Sequence, residues 1–336
     1  MPNSIFKDRS ISSRLKLQNS RITDSYRAID SHTAGEVTRL LIDTPFLKGR
    51  NVVEKSMYFR SHYDHIRKAL TLEPRSIPGV LAMLVLPTDA QADYGLIFCD
   101  SHGSVDMCVH GTIGVVTCLV ELGKSGGEIL KSGVTFETPA GLVTARANSK
   151  SGKLKSITVS SVPSYFIKKE TLTLGKFGDV EVSLAFGGNN FAYVDSKHLS
   201  LNVKPLNLRK LLEVAKEILQ TIRGNRLAGV SIYEDHDKFA RNIMVAENDF
   251  FDRSPCGTGT CGRMAILNHE LKLNPGQRFV NRSIINSEFV GRIAGQTTVG
   301  KHSAIIPEIT GSAYLTGVCE FVESESDKLS SGFALA

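Results

Sequence analysis

Two short segments of this chain follow the same pattern, Cys-x-x-Gly-Thr-x-Gly, and this repeat constrains the fold more than any other feature. It begins at Cys108 in the first copy and at Cys256 in the second. Each copy is followed by an apolar run at helical spacing, then by a glycine-containing loop and β-type segments. The apolar positions are Val115, Val116, Leu119 and Leu122 in one run, and Met264, Ile266, Leu267 and Leu271 in the other. Such a joint match indicates a duplicated unit rather than coincidence.

The repeat therefore predicts an α+β protein of two pseudo-symmetric lobes, with the active site in the cleft between them. A length of 336 residues suits two such lobes. We expect a first lobe of residues 27–163 plus 300–322 and a second lobe of residues 164–299. Residues 1–26 should form a polar extension and residues 323–336 a polar tail.

The composition narrows the class of protein. With 41% hydrophobic and 22% charged residues, the chain is typical of a globular protein. A net charge of +6 without a basic helix or an aromatic–basic stripe argues against nucleic-acid binding. Because no apolar run reaches the roughly 18 residues of a membrane helix, we expect no membrane span.

Cysteine usage and the N-terminal segment bear on the compartment. Six cysteines without CxxC spacing favour free thiols in a reducing compartment and argue against a structural zinc site, so no metal is expected. A cytoplasmic location follows, with one alternative left open. The Ser- and Arg-rich residues 1–26 resemble a transit segment in composition, although they show no clear amphipathic face.

The chemistry of the repeat follows from its glycine-rich turns. A turn that opens a helix leaves backbone N–H groups unpaired, and the helix dipole favours an anion beside them. We therefore expect a substrate carboxylate to bind between the two helix starts. The expected donors are the amides of Val109, His110, Gly111, Gly257, Thr258 and Gly259. The same helix ends should lower the pKa of Cys108 and Cys256. A thiolate on one face of an α-carbon and a thiol on the other can then invert that carbon.

Asp252 and His110 are the polar side chains best placed to meet a substrate amine. A carboxylate can pair with an ammonium group, and an imidazole can accept one of its hydrogens. Asp252 has the alternative role of capping the following turn. The other four cysteines lie in apolar patterns and are interpreted as packing residues. They are Cys99, Cys118, Cys261 and Cys319.

These motifs resemble those of the proline racemase family, which includes 4-hydroxyproline 2-epimerases and trans-3-hydroxyproline dehydratases. Residues 252–260, Asp-Arg-Ser-Pro-Cys-Gly-Thr-Gly-Thr, are similar to the family signature, and residues 107–114 to its other cysteine motif. Residues 31–39 resemble its N-terminal block, and the likeness runs from about residue 29 to 322. The resemblance implies diaminopimelate-epimerase-like lobes, each a curled β-sheet around a central helix, with no pyridoxal phosphate or metal.

The resemblance also implies roles for single residues. The roles are acid–base catalysis by Cys108 and Cys256, contact with the substrate nitrogen by His110 and Asp252, and carboxylate binding by the amides of Gly257 and Thr258. Two departures leave the substrate open. Val109 stands where the family usually has glycine, which could narrow the pocket mouth. Residues 229–233 contain no histidine where 4-hydroxyproline epimerases often have one.

Three functions follow from these observations. The favoured one is a cofactor-independent racemase or epimerase of proline or a hydroxyproline, because the family's dehydratases typically carry threonine in place of Cys256. Dehydration of trans-3-hydroxy-L-proline on the same scaffold is the alternative, and an inactive amino-acid-binding relative is less favoured. The expected partner is a small amino-acid substrate, with a homodimer left open.

Overall fold

The computed structural model describes residues 22–123, 125–222, 227–246 and 250–334. The strands of the first half are β1 (Ile22–Thr33), β2 (Glu36–Leu41), β3 (Leu81–Leu86), β4 (Tyr94–Cys99), β5 (Ser104–Val105), β6 (Val134–Thr138), β7 (Gly141–Lys150) and β8 (Lys153–Ser160). Those of the second half are β9 (Ser164–Leu174), β10 (Gly178–Phe186), β11 (Asn190–Asp195), β12 (Gly229–Asp235), β13 (Ala240–Val245), β14 (Phe251–Asp252), β15 (Arg278–Ser283), β16 (Glu288–Val299), β17 (His302–Gly311) and β18 (Ala313–Ser324). The α-helices are α1 (Val52–His62), α2 (Asp64–Thr71), α3 (Val109–Leu122), α4 (Gly126–Ser132), α5 (Leu208–Thr221) and α6 (Gly257–His269).

The strands curl around two central helices. In the first lobe, β1, β2, β8 and β18 contact α3, and in the second, β9, β10, β16 and β17 contact α6. The second sheet closes on itself, because β17 pairs with β16 on one side and with β9 on the other. The α+β fold of two lobes, each a curled sheet around one helix, is therefore confirmed.

The central helices are enclosed because α3 is apolar almost all round, and because α6 carries mainly small or apolar residues and one buried arginine, Arg263, that pairs with Asp235. In α3 the residues from Val109 to Leu119 are buried, and in α6 those from Gly257 to Leu267. A helix that is apolar all round has no face to offer to water and must be surrounded by other elements. One residue of the predicted apolar run is wrong. α6 ends at His269, and Leu271, which lies beyond it, is 83% exposed.

The lobes share one apolar core, which fixes the two helices relative to each other. Ile113 of α3 and Met264 of α6 belong to the same buried cluster as Phe289 and Ile309. Truncation of a fully buried aromatic residue such as Phe289 typically costs about 3–5 kcal/mol of stability. The starts of α3 and α6 are therefore held by tightly packed elements. Within the described ranges, none of the helices is long and apolar enough to cross a membrane.

Two predicted segments, the polar extension of residues 1–26 and the polar tail of residues 323–336, include residues that belong to strands. β1 begins at Ile22 and pairs with β18, which runs to Ser324. Residues 22–26 and 323–324 therefore belong to the first sheet, because strand pairing uses the backbone and tolerates the polar side chains found there. Residues 1–21 of the predicted extension lie outside the described residues.

The predicted return to the first lobe at residue 300 is also wrong. β17 pairs with β16 from His302, opposite Val299, to Thr310, opposite Val290. Only the last residues of β17 pair with β8 of the first lobe. The hairpin between β16 and β17 keeps β17 on the second sheet. The chain returns to the first lobe at Ala313, where β18 begins and pairs with Thr33 of β1. The other predicted boundaries remain predictions.

Candidate active site

The two cysteines of the repeat occupy equivalent positions. Cys108 is the N-cap residue of α3, and its Sγ accepts a hydrogen bond from the N–H of Gly111 at 3.3 Å. Cys256 is the N-cap residue of α6, and its Sγ accepts one from the N–H of Gly259 at 3.4 Å. Both thiols are buried, with 6% and 7% of the residue exposed. Each lobe thus presents one cysteine at the start of its central helix.

The backbone distinguishes the two cysteines, which the repeat alone does not predict. Cys108 has φ −145° and lies in the extended region, whereas Cys256 has φ +57° and ψ 105°. A non-glycine residue in that region costs about 1–3 kcal/mol, and such strain clusters at functional sites. Local hydrogen bonds offset this backbone strain. The Cys256 N–H donates to Ser254 Oγ at 3.1 Å, and the Cys256 carbonyl accepts from the Thr260 N–H at 2.7 Å.

The starts of the two helices meet through Val109. This residue is fully buried, and its side chain packs against Gly257 at the start of the other helix. A Cβ on Gly257 would lie 2.5 Å from the Cβ of Val109, so residue 257 has no room for a side chain. The valine therefore fills space between the helix starts, and its effect on the pocket mouth stays a prediction.

His110 and Asp252, from different lobes, come together beside the first cysteine. His110 Nδ1 lies 3.6 Å from Asp252 Oδ2 and 3.4 Å from Cys108 Sγ. Asp252 Oδ1 accepts the N–H of Ser254 at 2.7 Å, so this carboxylate also caps the turn, the alternative that the sequence left open. Among the described residues, the buried Nε2 of His110 has no hydrogen-bond partner.

Burial controls the ionisation of this site. Desolvation raises the pKa of the Cys108 and Cys256 thiols well above their usual range, and the hydrogen bonds from Gly111 and Gly259 only partly oppose it. The predicted lowering of these pKa values is therefore wrong, because a helix-end argument includes the dipole but omits desolvation. Burial also lowers the pKa of His110 against the opposing charge of Asp252, which favours a neutral imidazole.

The predicted amide donors divide into two groups. The N–H groups of Gly111 and Gly259 donate to the thiols, and that of His110 is also directed at Cys108, so these amides already have an acceptor and their contact with a substrate stays a prediction. The first N–H groups of a helix have no acceptor within it. The remaining predicted donors are the amides of Val109, at the start of α3, and of Gly257 and Thr258, at the start of α6. These three amides are the ones left to bind an anion.

A buried glutamate of the first lobe, to which the sequence motifs assigned no role, joins this site. Glu36 begins β2, and its Oε2 accepts the backbone N–H of Arg253 at 2.6 Å. Its carboxyl group also hydrogen-bonds to the side chain of Asp252, and burial together with the Asp252 charge raises the pKa of Glu36 to about 9. The sequence feature that could have identified Glu36 was an acidic residue at the start of a strand that is otherwise mostly apolar. Its partners, however, lie more than 200 positions away.

The loop between β10 and β11 covers the site from the second lobe. Asn189 Nδ2 donates to the carbonyl of Met107 at 2.8 Å. A Cβ on Gly187 would lie 2.2 Å from the carbonyl oxygen of Thr258, so this loop touches both cysteine-bearing segments. In the described part of the chain, no three His, Cys, Asp or Glu side chains are grouped to hold a metal ion, and all six cysteines are unpaired.

The fold and site define a class of two-lobed proteins with one helix-capping thiol in each lobe. The family model described as proline racemase matches residues 28–334. This chain therefore belongs to the proline racemase family, as its motifs indicated.

Similar proteins carry more than one activity in their names. A proline racemase of Clostridioides difficile is 34% identical over 333 residues, which cover 94% of this chain and 99% of the relative. A trans-3-hydroxy-L-proline dehydratase of Bacillus thuringiensis subsp. konkukian is 32% identical, with 94% and 99% covered. The crystal structure of a hydroxyproline epimerase from Agrobacterium vitis, with bound trans-4-hydroxy-L-proline, matches with a TM-score of 0.83 at 32% identity and covers 93% of this chain and 96% of its own.

Proposed function

We propose that this protein is a cofactor-independent racemase or epimerase that inverts the α-carbon of proline or a hydroxyproline. The observation that carries the proposal is the pair of buried thiols, Cys108 and Cys256, at equivalent helix starts that meet through Val109 and Gly257. The similar racemase and the hydroxyproline-bound epimerase support the substrate class.

The reaction needs only a proton transfer on each face of the substrate. One sulfur, as thiolate, takes the α-proton, and the electron pair left on the α-carbon delocalises into the carboxylate. The thiol on the opposite face gives its proton to that carbon, which inverts it. The two sulfurs have then exchanged roles, and proton exchange with solvent or turnover of the opposite enantiomer restores the starting state.

The surrounding groups supply the remaining requirements. The amides of Gly257 and Thr258 are positioned at a helix start, where a carboxylate is favoured. Asp252 provides a negative charge for the substrate ammonium, and the free Nε2 of the neutral His110 can accept a hydrogen bond from it. Because burial raises the pKa of both thiols, each sulfur is a stronger base once it is ionised.

Dehydration of trans-3-hydroxy-L-proline is the second candidate, because one similar protein bears that name. In dehydration the α-proton leaves on one face and the β-hydroxyl takes up a proton and leaves as water, so no proton has to reach the α-carbon from the other face. Cys256 provides a proton donor for that face, which favours inversion. A homodimeric state and a cytoplasmic location remain predictions.

The proposal is tested by incubating the protein with a panel of L- and D-amino acids in D2O. Chiral chromatography and mass spectrometry should show inverted, α-deuterated proline or hydroxyproline, at a rate that dialysis against a chelator leaves unchanged. If no amino acid is inverted or exchanged at its α-carbon, the proposed function is wrong.

A further inference from the structure

The carboxyl groups of Glu36 and Asp252 form a buried pair that bridges the lobes. Glu36 is 2% exposed and Asp252 5%. Glu36 begins β2 of the first lobe, whereas Asp252 ends β14 of the second. Glu36 is held in place by the Arg253 N–H at 2.6 Å, and Asp252 by the Ser254 N–H at 2.7 Å. Each carboxyl group is therefore fixed by a backbone donor while it contacts the other.

The nearby Arg253 opposes only part of the charge of this pair, because burial and the charge of Asp252 raise the pKa of Glu36 more than Arg253 lowers it. Within the described residues, neither Glu36 nor Asp252 forms an ion pair with a lysine or arginine. The Arg253 guanidinium instead donates to the carbonyl of Phe251 at 2.9 Å and lies 4.4 Å from the centroid of that residue's ring. Two carboxyl groups in hydrogen-bond contact cannot both ionise without such a cation. A proton must therefore be shared between them.

We propose that Glu36 is a positioning residue that stays a neutral carboxylic acid, donates a hydrogen bond to Asp252 and so leaves a single negative charge facing the substrate ammonium. The inference rests on the proposed function. One carboxylate balances one ammonium group, whereas two would place a surplus negative charge beside the thiolate of Cys108. The raised pKa of Glu36, about 9, agrees with this geometry.

Several other groups face the pair and set its pH dependence. They are Arg253 in the second lobe, His110 on α3, and the thiols of Cys108 and Cys256 that cap α3 and α6. The neutral His110 adds no charge at pH 7. Ionisation of Glu36 should therefore contribute to the loss of activity at alkaline pH, where the pair acquires its second charge.

Three variants test this role. Glu36→Gln keeps one donor and one acceptor in nearly the same shape, whereas Glu36→Leu removes both and leaves the Arg253 N–H unpaired. We expect Glu36→Leu to lower kcat/KM about tenfold or more, mainly through KM, because Asp252 loses the donor that holds it toward the substrate ammonium. Glu36→Gln should restore most of that loss and reduce the alkaline decline. Glu137→Gln is the matched control, since Glu137 also accepts a backbone N–H, from Val52 at 3.3 Å, but lies outside the site.

Infrared spectroscopy at pH 7, with the spectra of the wild type and of the variants compared, adds a measurement that does not depend on catalysis. The carbonyl band of a protonated carboxylic acid should be present in the wild type and in Glu137→Gln, and absent in Glu36→Gln. A missing band in the wild type, or a Glu36→Gln variant as impaired as Glu36→Leu, would overturn the inference. Inactivity of the wild type toward every amino acid would instead refute the proposed function, and the infrared result would still decide the protonation of Glu36.

Discussion

Val109 packs against Gly257 across the starts of the two central helices, and residue 257 has no room for a side chain because of it. The contact joins the two lobes at the level of the cysteines. A valine at position 109 and a glycine at position 257 are therefore structurally dependent on each other. The resemblance predicts glycine at position 109, so the valine found there is a departure from the family pattern that this contact explains.

Gly257→Ala should destabilise the fold by about 1–3 kcal/mol, because the added methyl group overpacks against Val109. In a Val109→Gly background much of that cost should disappear. The four free energies of unfolding, measured in urea, give the coupling directly. Gly127→Ala on α4 is the control, since a Cβ there meets nothing within 4 Å. An equal cost of Gly257→Ala in both backgrounds would show that the two residues are independent.

Glu36 should make the fold less stable as the pH rises. Its pKa is about 9 in the folded chain against an ordinary value of 4.5. Between these two values the unfolded chain has lost a proton that the folded chain retains, so the free energy of unfolding falls with increasing pH. Glu36→Gln should flatten this decline when unfolding is measured across that range. A decline as steep in the variant as in the wild type would mean that Glu36 is ionised in the fold.

Cys256→Thr should suppress inversion, because a hydroxyl group releases its proton far less readily than a thiol with an ordinary pKa of about 8.5. Given a 3-hydroxyproline, the wild type should epimerise it or exchange its α-proton more than it forms a dehydrated product. The variant should shift that ratio toward dehydration. The ratio of inverted product to keto acid or cyclic imine, measured for both proteins under identical conditions, distinguishes the two reactions. A wild type that mostly dehydrates would favour the dehydratase function.

The sequence predicted the parts of the site that depend on local pattern. The repeat indicated two helices that begin at Cys108 and Cys256, because the spacing of glycine and apolar residues is sufficient to define a helix start. It also indicated that His110 and Asp252 belong together, since each lies close in sequence to one cysteine. The central helices and the two-lobe fold follow from the same pattern.

The parts that the sequence did not predict depend on tertiary contacts. Glu36 joins the site only because β2 is placed opposite Asp252 and Arg253, which no local spacing shows. The thiol pKa values rise because the closed lobes exclude water, and burial cannot be read from a helix-end motif. The positive φ of Cys256 is not visible in the shared Cys-x-x-Gly-Thr-x-Gly pattern either, because the Ser254 hydroxyl that accepts the Cys256 N–H lies outside that pattern.

Loss of a cysteine outside the site provides the control for the catalytic pair. Cys118 is fully buried within α3 and contacts Ser31 Oγ at 3.9 Å, away from the helix start. Cys118→Ala should lower stability by about 1–2 kcal/mol and retain inversion activity. A thermal melt and a racemisation assay of the same preparation separate these two effects.

The most direct test of the two-sulfur account is the position of deuterium after brief turnover of L- or D-proline in D2O. For the wild type, the inverted product should carry deuterium at the α-carbon while the remaining substrate carries little, because different sulfurs act on the two faces. Cys108→Ala and Cys256→Ala should each abolish inversion while remaining folded. Substantial inversion by either alanine variant, or equally rapid labelling of substrate and product by the wild type, would contradict the account.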